Sequence, residues 1–155
     1  MKNISKFIIS ILIPLIIGFF GSIFTSTSVS TWYPTLNKPS FNPPNWIFGP
    51  VWTTLYILMG ISFYLIWKKT NFKENRTVFI FFFIQLFFNL SWSFFFFTLK
   101  SPFLALIDII LLLIFIIFTI LSFYKISKVS SYLLLPCLFW VLFATILNFS
   151  ILILN

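Results

Sequence analysis

Histidine is absent from this chain, cysteine occurs once, and Glu74 and Asp108 are its only acidic residues. Without imidazole there is no His-based metal site, proton relay or haem axial bond, and no Ser/His/Asp set. A lone Cys137 excludes an internal disulfide. Glycine is also scarce, at four residues, and no phosphate-cradling glycine loop or internal repeat is found. Most metalloenzyme, triad and nucleotide chemistry is thereby removed.

Apolar residues fill the space left by these absences. Hydrophobic residues make up 61% of the chain and charged residues 8%, with a mean hydropathy of +1.11. A soluble chain of this length has no core large enough to hide that much apolar surface, so the composition predicts an integral membrane protein. Five runs are each long enough, at about 1.5 Å per residue, to cross a hydrocarbon layer of about 30 Å. They fall at roughly 7–24, 47–67, 77–99, 102–123 and 132–154. The first follows Lys2 and Lys6 as a signal peptide would, but it exceeds a leader's apolar region and has no small-residue cleavage site, so it reads as a span. The other connections are short, and residues 1–155 are expected to form one all-α domain, a bundle of five transmembrane helices.

Charge placement predicts the orientation. Lys2, Lys6, Lys68, Lys69, Lys73, Arg76, Lys125 and Lys128 fall on one side of such a bundle, and Lys38 and Lys100 on the other. Cations are retained in the cytoplasm, so the N-terminus is expected inside, with the C-terminus and the long 25–46 loop outside. The net charge of +8 then reflects helix ends at lipid headgroups, and no nucleic-acid motif accompanies it.

That loop is stiffened by Pro34, Pro39, Pro43 and Pro44 and carries Trp32, Tyr33 and Trp46, rings suited to a membrane surface. It is expected to act as a lid. Within the spans, helical spacing sorts the aromatic and polar residues into faces. Trp52, Tyr56 and Gly60 share one side of the second helix, with Met59 and Phe63 beside them. Gln85, Asn89, Trp92 or Ser93, and Phe96 align on the third, and Pro136, Trp140, Ala144 and Asn148 on the fifth. Trp52, Asn89 and Trp140 converge from three helices and suggest a shared aromatic cavity. Gln85 and Asp108, the one carboxylate inside a span, read instead as interhelical glue, since amides and carboxyls in hydrocarbon must find partners.

The same residues carry a resemblance. The stretch W-Y-x-x-L-x-K-P-S-F-x-P-P-x-W-x-F-G-P-V-W-T-x-L-Y-x-x-M-G, residues 32–60, resembles the signature of the TspO/MBR family of tryptophan-rich sensory and translocator proteins. Q-L-x-x-N-x-x-W-S from Gln85 to Ser93, the membrane Asp108, L-L-x-P from Leu133 to Pro136, and W-x-x-F-A-x-x-L-N from Trp140 to Asn148 extend it along nearly the whole chain.

The resemblance implies a five-helix bundle, often a homodimer, whose cavity takes porphyrins, haem-like tetrapyrroles and benzodiazepine-type ligands beneath the first loop. Trp52 and Trp140 match the family's cavity tryptophans, Asn89 its third-helix amide, and Ala144 its small fifth-helix residue. Trp32, Lys38 and Pro43 match its lid. A flat porphyrin would stack on indole and Phe rings while amides, or Lys38 at the mouth, meet its polar edge. Tyr56, Trp92 and Asn148 complete the expected lining. No intrinsic cofactor and no metal are implied; protoporphyrin IX or haem enters as ligand or substrate.

Some bacterial relatives convert protoporphyrin in light and oxygen, a reaction attributed to the two cavity tryptophans. Both positions are tryptophan here, so Trp52 and Trp140 are the catalytic candidates and that activity is open to this chain. The implied role is a porphyrin-binding receptor or sensor in a bacterial cytoplasmic membrane. The alternative is a transporter of porphyrins or other amphipaths, against which stand the missing inverted repeats and paired broken helices. A third reading is a scaffold whose tryptophans only pack. Two departures from the family stand out: Cys137 replaces its usual tyrosine, and residues 141–155 contain no Tyr, Lys or Arg to form the sterol-recognition pattern of vertebrate relatives.

Overall fold

The computed structural model describes residues 2–155 and contains only helices and their connections. The helices are α1 (Asn3–Ser26), α2 (Asn45–Lys69), α3 (Arg76–Ser93), α4 (Pro102–Tyr124), α5 (Lys128–Leu133) and α6 (Leu135–Leu154). With a π-helical turn, Phe94–Thr98, prolonging α3, and α5 leading into α6, they make five segments long and apolar enough to cross a membrane. The fold class expected from composition is therefore the one observed. The helices overrun the apolar runs by a few residues because Lys and Arg ends continue helically beyond the hydrocarbon-soluble part.

Local sequence explains the breaks. Ser101 caps α4 by accepting the Leu104 N–H at 3.2 Å, and Pro102 follows where a missing N–H costs nothing. Just before it, Lys100 turns the chain with φ 54, a left-handed conformation few side chains adopt. Pro136 cannot donate to the Tyr132 carbonyl, so the fifth span breaks at Leu134 between α5 and α6.

The helices form a ring in which α1 touches α2 and α3, α3 touches α4, α4 touches α6 and α5, and α5 returns to α2. At the end carrying Lys6 and Lys68 this ring is tight. Pro14 leaves the Ser10 carbonyl without its helical donor, and Gly60 of α2 sits against that carbonyl; a Cβ on Gly60 would lie 2.8 Å from both Ser10 O and Ile11 Cα. Ser62 and Ser130 donate to each other's carbonyl oxygens at 2.7 and 2.6 Å, fastening α2 to α5. Met59, Ile66, Phe82 and Phe123 fill the centre, with Phe63 stacked on Phe82 at 4.6 Å. Toward the other end α2 runs on from α5 without packing along α6, and the interval is spanned by large rings.

Candidate ligand-binding site

A cavity of about 530 Å³ occupies that interval, within the range of about 300–1,000 Å³ usual for small-molecule sites. One corner is aromatic: Trp52 stacks on Tyr56 at 5.8 Å and meets Trp140 edge-on at 6.5 Å and 87°. Phe48 closes against Trp140 at 6.0 Å. Trp92, stacked on Phe96 at 5.1 Å, forms the α3 wall. Ala144 lies between Trp140 and Asn148 along α6, leaving the space that a larger side chain would fill.

Polar atoms in this cavity divide into two sets. Trp92 Nε1 donates to Asn148 Oδ1 at 2.9 Å, and Asn148 Nδ2 donates to the Pro102 carbonyl at 2.9 Å. That chain ties α3, α6 and the start of α4 together, so these groups are occupied within the protein. Asn89 Oδ1 accepts from the Tyr56 hydroxyl at 3.1 Å, but Asn89 Nδ2 has no partner, and neither does Trp140 Nε1. Both atoms are buried. Both are covered by neighbouring protein atoms, so the surface the cavity offers a ligand is mainly aromatic and apolar.

Of the residues expected to line the site, Trp52, Tyr56, Asn89, Trp92, Trp140, Ala144 and Asn148 do so. Trp32, Lys38 and Pro43 do not. Lys38 is turned away from the mouth: its Nζ lies 4.8 Å from the Tyr33 ring centre and donates to Leu36 O at 3.1 Å, satisfying the ammonium within the loop. Trp32 packs on Phe96 at 5.7 Å from outside. Tyr33, read from sequence only as an interfacial ring, lies beneath the lid, buried against Phe96 and Phe97, with its hydroxyl donating to Asn42 Oδ1 at 3.0 Å. Burial pushes its phenol above the ordinary 10.0, against the smaller opposing pull of the Asn42 bond.

Gln85 and Asp108 lie off the cavity. Gln85 reaches Met59 Sδ with its amide nitrogen at 3.9 Å, and Ser91 donates to one carboxyl oxygen of Asp108, joining α3 to α4. Gly60 and Pro136, placed on the cavity faces by spacing, also fall outside it: Gly60 meets α1, and Pro136 is exposed.

The wall missed by the sequence reading is α1, which contributes Leu15, Gly18, Gly21, Ser22 and Thr25. Its signal was the run of small residues at helical spacing, in a span with no tryptophan or amide to draw attention. A Cβ on Gly18 would lie 2.6 Å from the Tyr56 ring, so this glycine admits the tyrosine that holds Asn89.

The architecture defines a multi-pass membrane protein of five spans with an aromatic cavity in one half. The sequence model of the TspO/MBR family matches residues 10–154. The chain is 52% identical over 153 residues to the tryptophan-rich protein TspO of Archaeoglobus fulgidus, covering 99% of each. It is 38% identical over 135 residues to the human translocator protein, covering 86% of this chain and 80% of that one. To the tryptophan-rich sensory protein of Cereibacter sphaeroides it is 34% identical over 124 residues, covering 80% and 77%. This chain belongs to the TspO/MBR family.

Proposed function

We propose that this protein is a membrane receptor or sensor that binds a porphyrin or haem-like tetrapyrrole in the Trp52–Trp140 cavity. The observation that carries the reading is the cavity of about 530 Å³ with Trp52, Tyr56 and Trp140 clustered at one corner. A flat conjugated disc stacks on such indole and phenol rings. The relatives' names, sensory protein and translocator protein, accord with a binding role.

Light-dependent degradation extends this reading. Bound protoporphyrin IX and dissolved oxygen supply the photochemical oxidant, and the chain's part is to hold the macrocycle against two indoles. Beyond Tyr56 the bundle is packed with the buried side chains of Met59, Phe63 and Phe82, and the chain lacks the inverted repeats and paired broken helices of an alternating-access transporter, so binding is the favoured reading. The cationic end is assigned to the cytoplasm of a bacterial-type membrane, with the lid outward.

The test is the absorbance of purified protein titrated with protoporphyrin IX in the dark and then illuminated in air, beside a Trp52→Phe, Trp140→Phe double variant. Saturable dark binding supports the receptor reading, and its absence overturns it. A product band formed only by the unaltered protein supports tryptophan-dependent degradation; equal bands from both proteins remove the tryptophans from that chemistry.

A further inference from the structure

We propose that the ligand reaches the cavity sideways from the bilayer, through a gap between the lid-side halves of α1 and α2, while the lid stays closed. The inference rests on the ligand-binding reading and adds the route. Every exposed residue around the cavity belongs to one of these two helices, notably Phe19, Ser22 and Ser26 on α1 and Asn45, Gly49 and Thr53 on α2. The lining contributed by the loop, α3 and α6 is buried or half-buried.

The gap is also unstitched. Ser22 and Ser26 donate to Phe19 O and Ile23 O at 2.6 and 2.7 Å, and Thr25 and Thr53 to Gly21 O and Gly49 O at 2.9 Å. Each hydroxyl is thus satisfied by its own helix, which suits lipid exposure and leaves nothing to bond across. The polar and aromatic pairs joining α1 to α2 among the described residues lie at the far end: Lys6 Nζ on Trp67 O at 3.3 Å, and Phe7 against Tyr64 at 5.2 Å. A Cβ on Gly49 would meet nothing within 4 Å.

The lid, by contrast, is fastened at several points. Ser28 donates to Phe97 O at 2.6 Å, Tyr33 is wedged against Phe96 and Phe97, and Asn37 N donates to Asn155 Oδ1 at 3.0 Å while Asn155 Nδ2 donates to Asn37 O at 2.8 Å. Exit through the lid breaks these contacts; parting α1 from α2 near Ser22 and Gly49 breaks no hydrogen bond between them. The occupant that suits such a route is an amphipathic disc already dissolved in the leaflet beside the lid.

The experiment follows protoporphyrin IX binding in the dark by tryptophan quenching in nanodiscs, giving association and dissociation rates. The portal variant is Gly49→Leu, placed at the edge of the opening where open space receives the side chain, and Gly49→Ala is its milder form. The expected result is a fall in both rates of about tenfold with Kd held within about twofold, since an obstructed entrance slows arrival and departure alike. The lid variant, Asn155→Ala with Ser28→Ala, which removes the side chains that make these bonds, is expected to leave both rates unchanged. Unaltered rates in the portal variants, faster rates in the lid variant, or a weakened Kd with unchanged dissociation overturns the lateral route while the binding reading stands. Failure of the unaltered protein to bind overturns that reading and the route with it.

Discussion

The two ends of this bundle are built from the same helices and reach opposite solutions. At the cationic end, Gly60 lets α1 and α2 meet backbone to backbone and two serines lock α2 to α5. At the lid end, the same α2 departs from its neighbours, and Trp52, Trp92 and Trp140 stand around space. Small residues therefore have opposite meanings along one helix. Gly60 permits contact, whereas Gly49 borders an opening; what differs is whether a partner helix lies opposite.

The largest effect expected is at the tight end. Gly60→Ala forces α1 from α2, because its Cβ meets backbone and not a movable side-chain tip, and should cost about 1–3 kcal/mol, read as a lowered unfolding temperature in detergent. Next comes the cavity, where Trp140→Phe removes part of the stacking surface. Protoporphyrin IX affinity should weaken about tenfold, on the order of 1.4 kcal/mol, with little change in melting. A scaffold whose tryptophans only pack gives the reverse pattern.

Gly49→Ala sharpens the contrast with Gly60, since the added methyl meets nothing and the helix gains from losing a glycine. A stabilisation of about 0.5–1 kcal/mol is expected in the same melting assay. The smallest effect concerns the lid. Tyr33→Phe removes the bond to Asn42 and should loosen the loop by about 0.5–1.5 kcal/mol, seen as faster proteolysis between residues 27 and 44. Because burial raises the Tyr33 phenol, its contribution is complete below the ordinary 10.0 and is lost as pH rises through the higher folded value. The Tyr33→Phe variant should lack that alkaline loosening.

Much of the site was legible because membrane helices make costly residues conspicuous. An amide or indole inside a span must face protein, and helical spacing then places Trp52 with Tyr56, Asn89 with Trp92, and Trp140 with Asn148. The same logic overreached at Gly60 and Pro136, because a shared helical face extends along the whole span while the cavity occupies only half of it. Lys38 was expected at the mouth because it matches the family's lid; the ring of Tyr33 and a loop carbonyl hold its ammonium within the loop. The α1 wall stayed silent, as glycine and serine in a span are inexpensive and signal little.

Composition and periodicity by themselves determined the membrane class, the five spans and the faces that must turn inward, because hydrocarbon tolerates neither charge nor an unpaired amide. Tertiary structure alone decided how far apart the helices stand at each height. That spacing depends on close approaches such as Gly60 to Ser10 and on proline breaks whose outcome is set by the neighbouring helix. It separates the donors already paired, at Trp92 and Asn148, from those left free at Asn89 and Trp140.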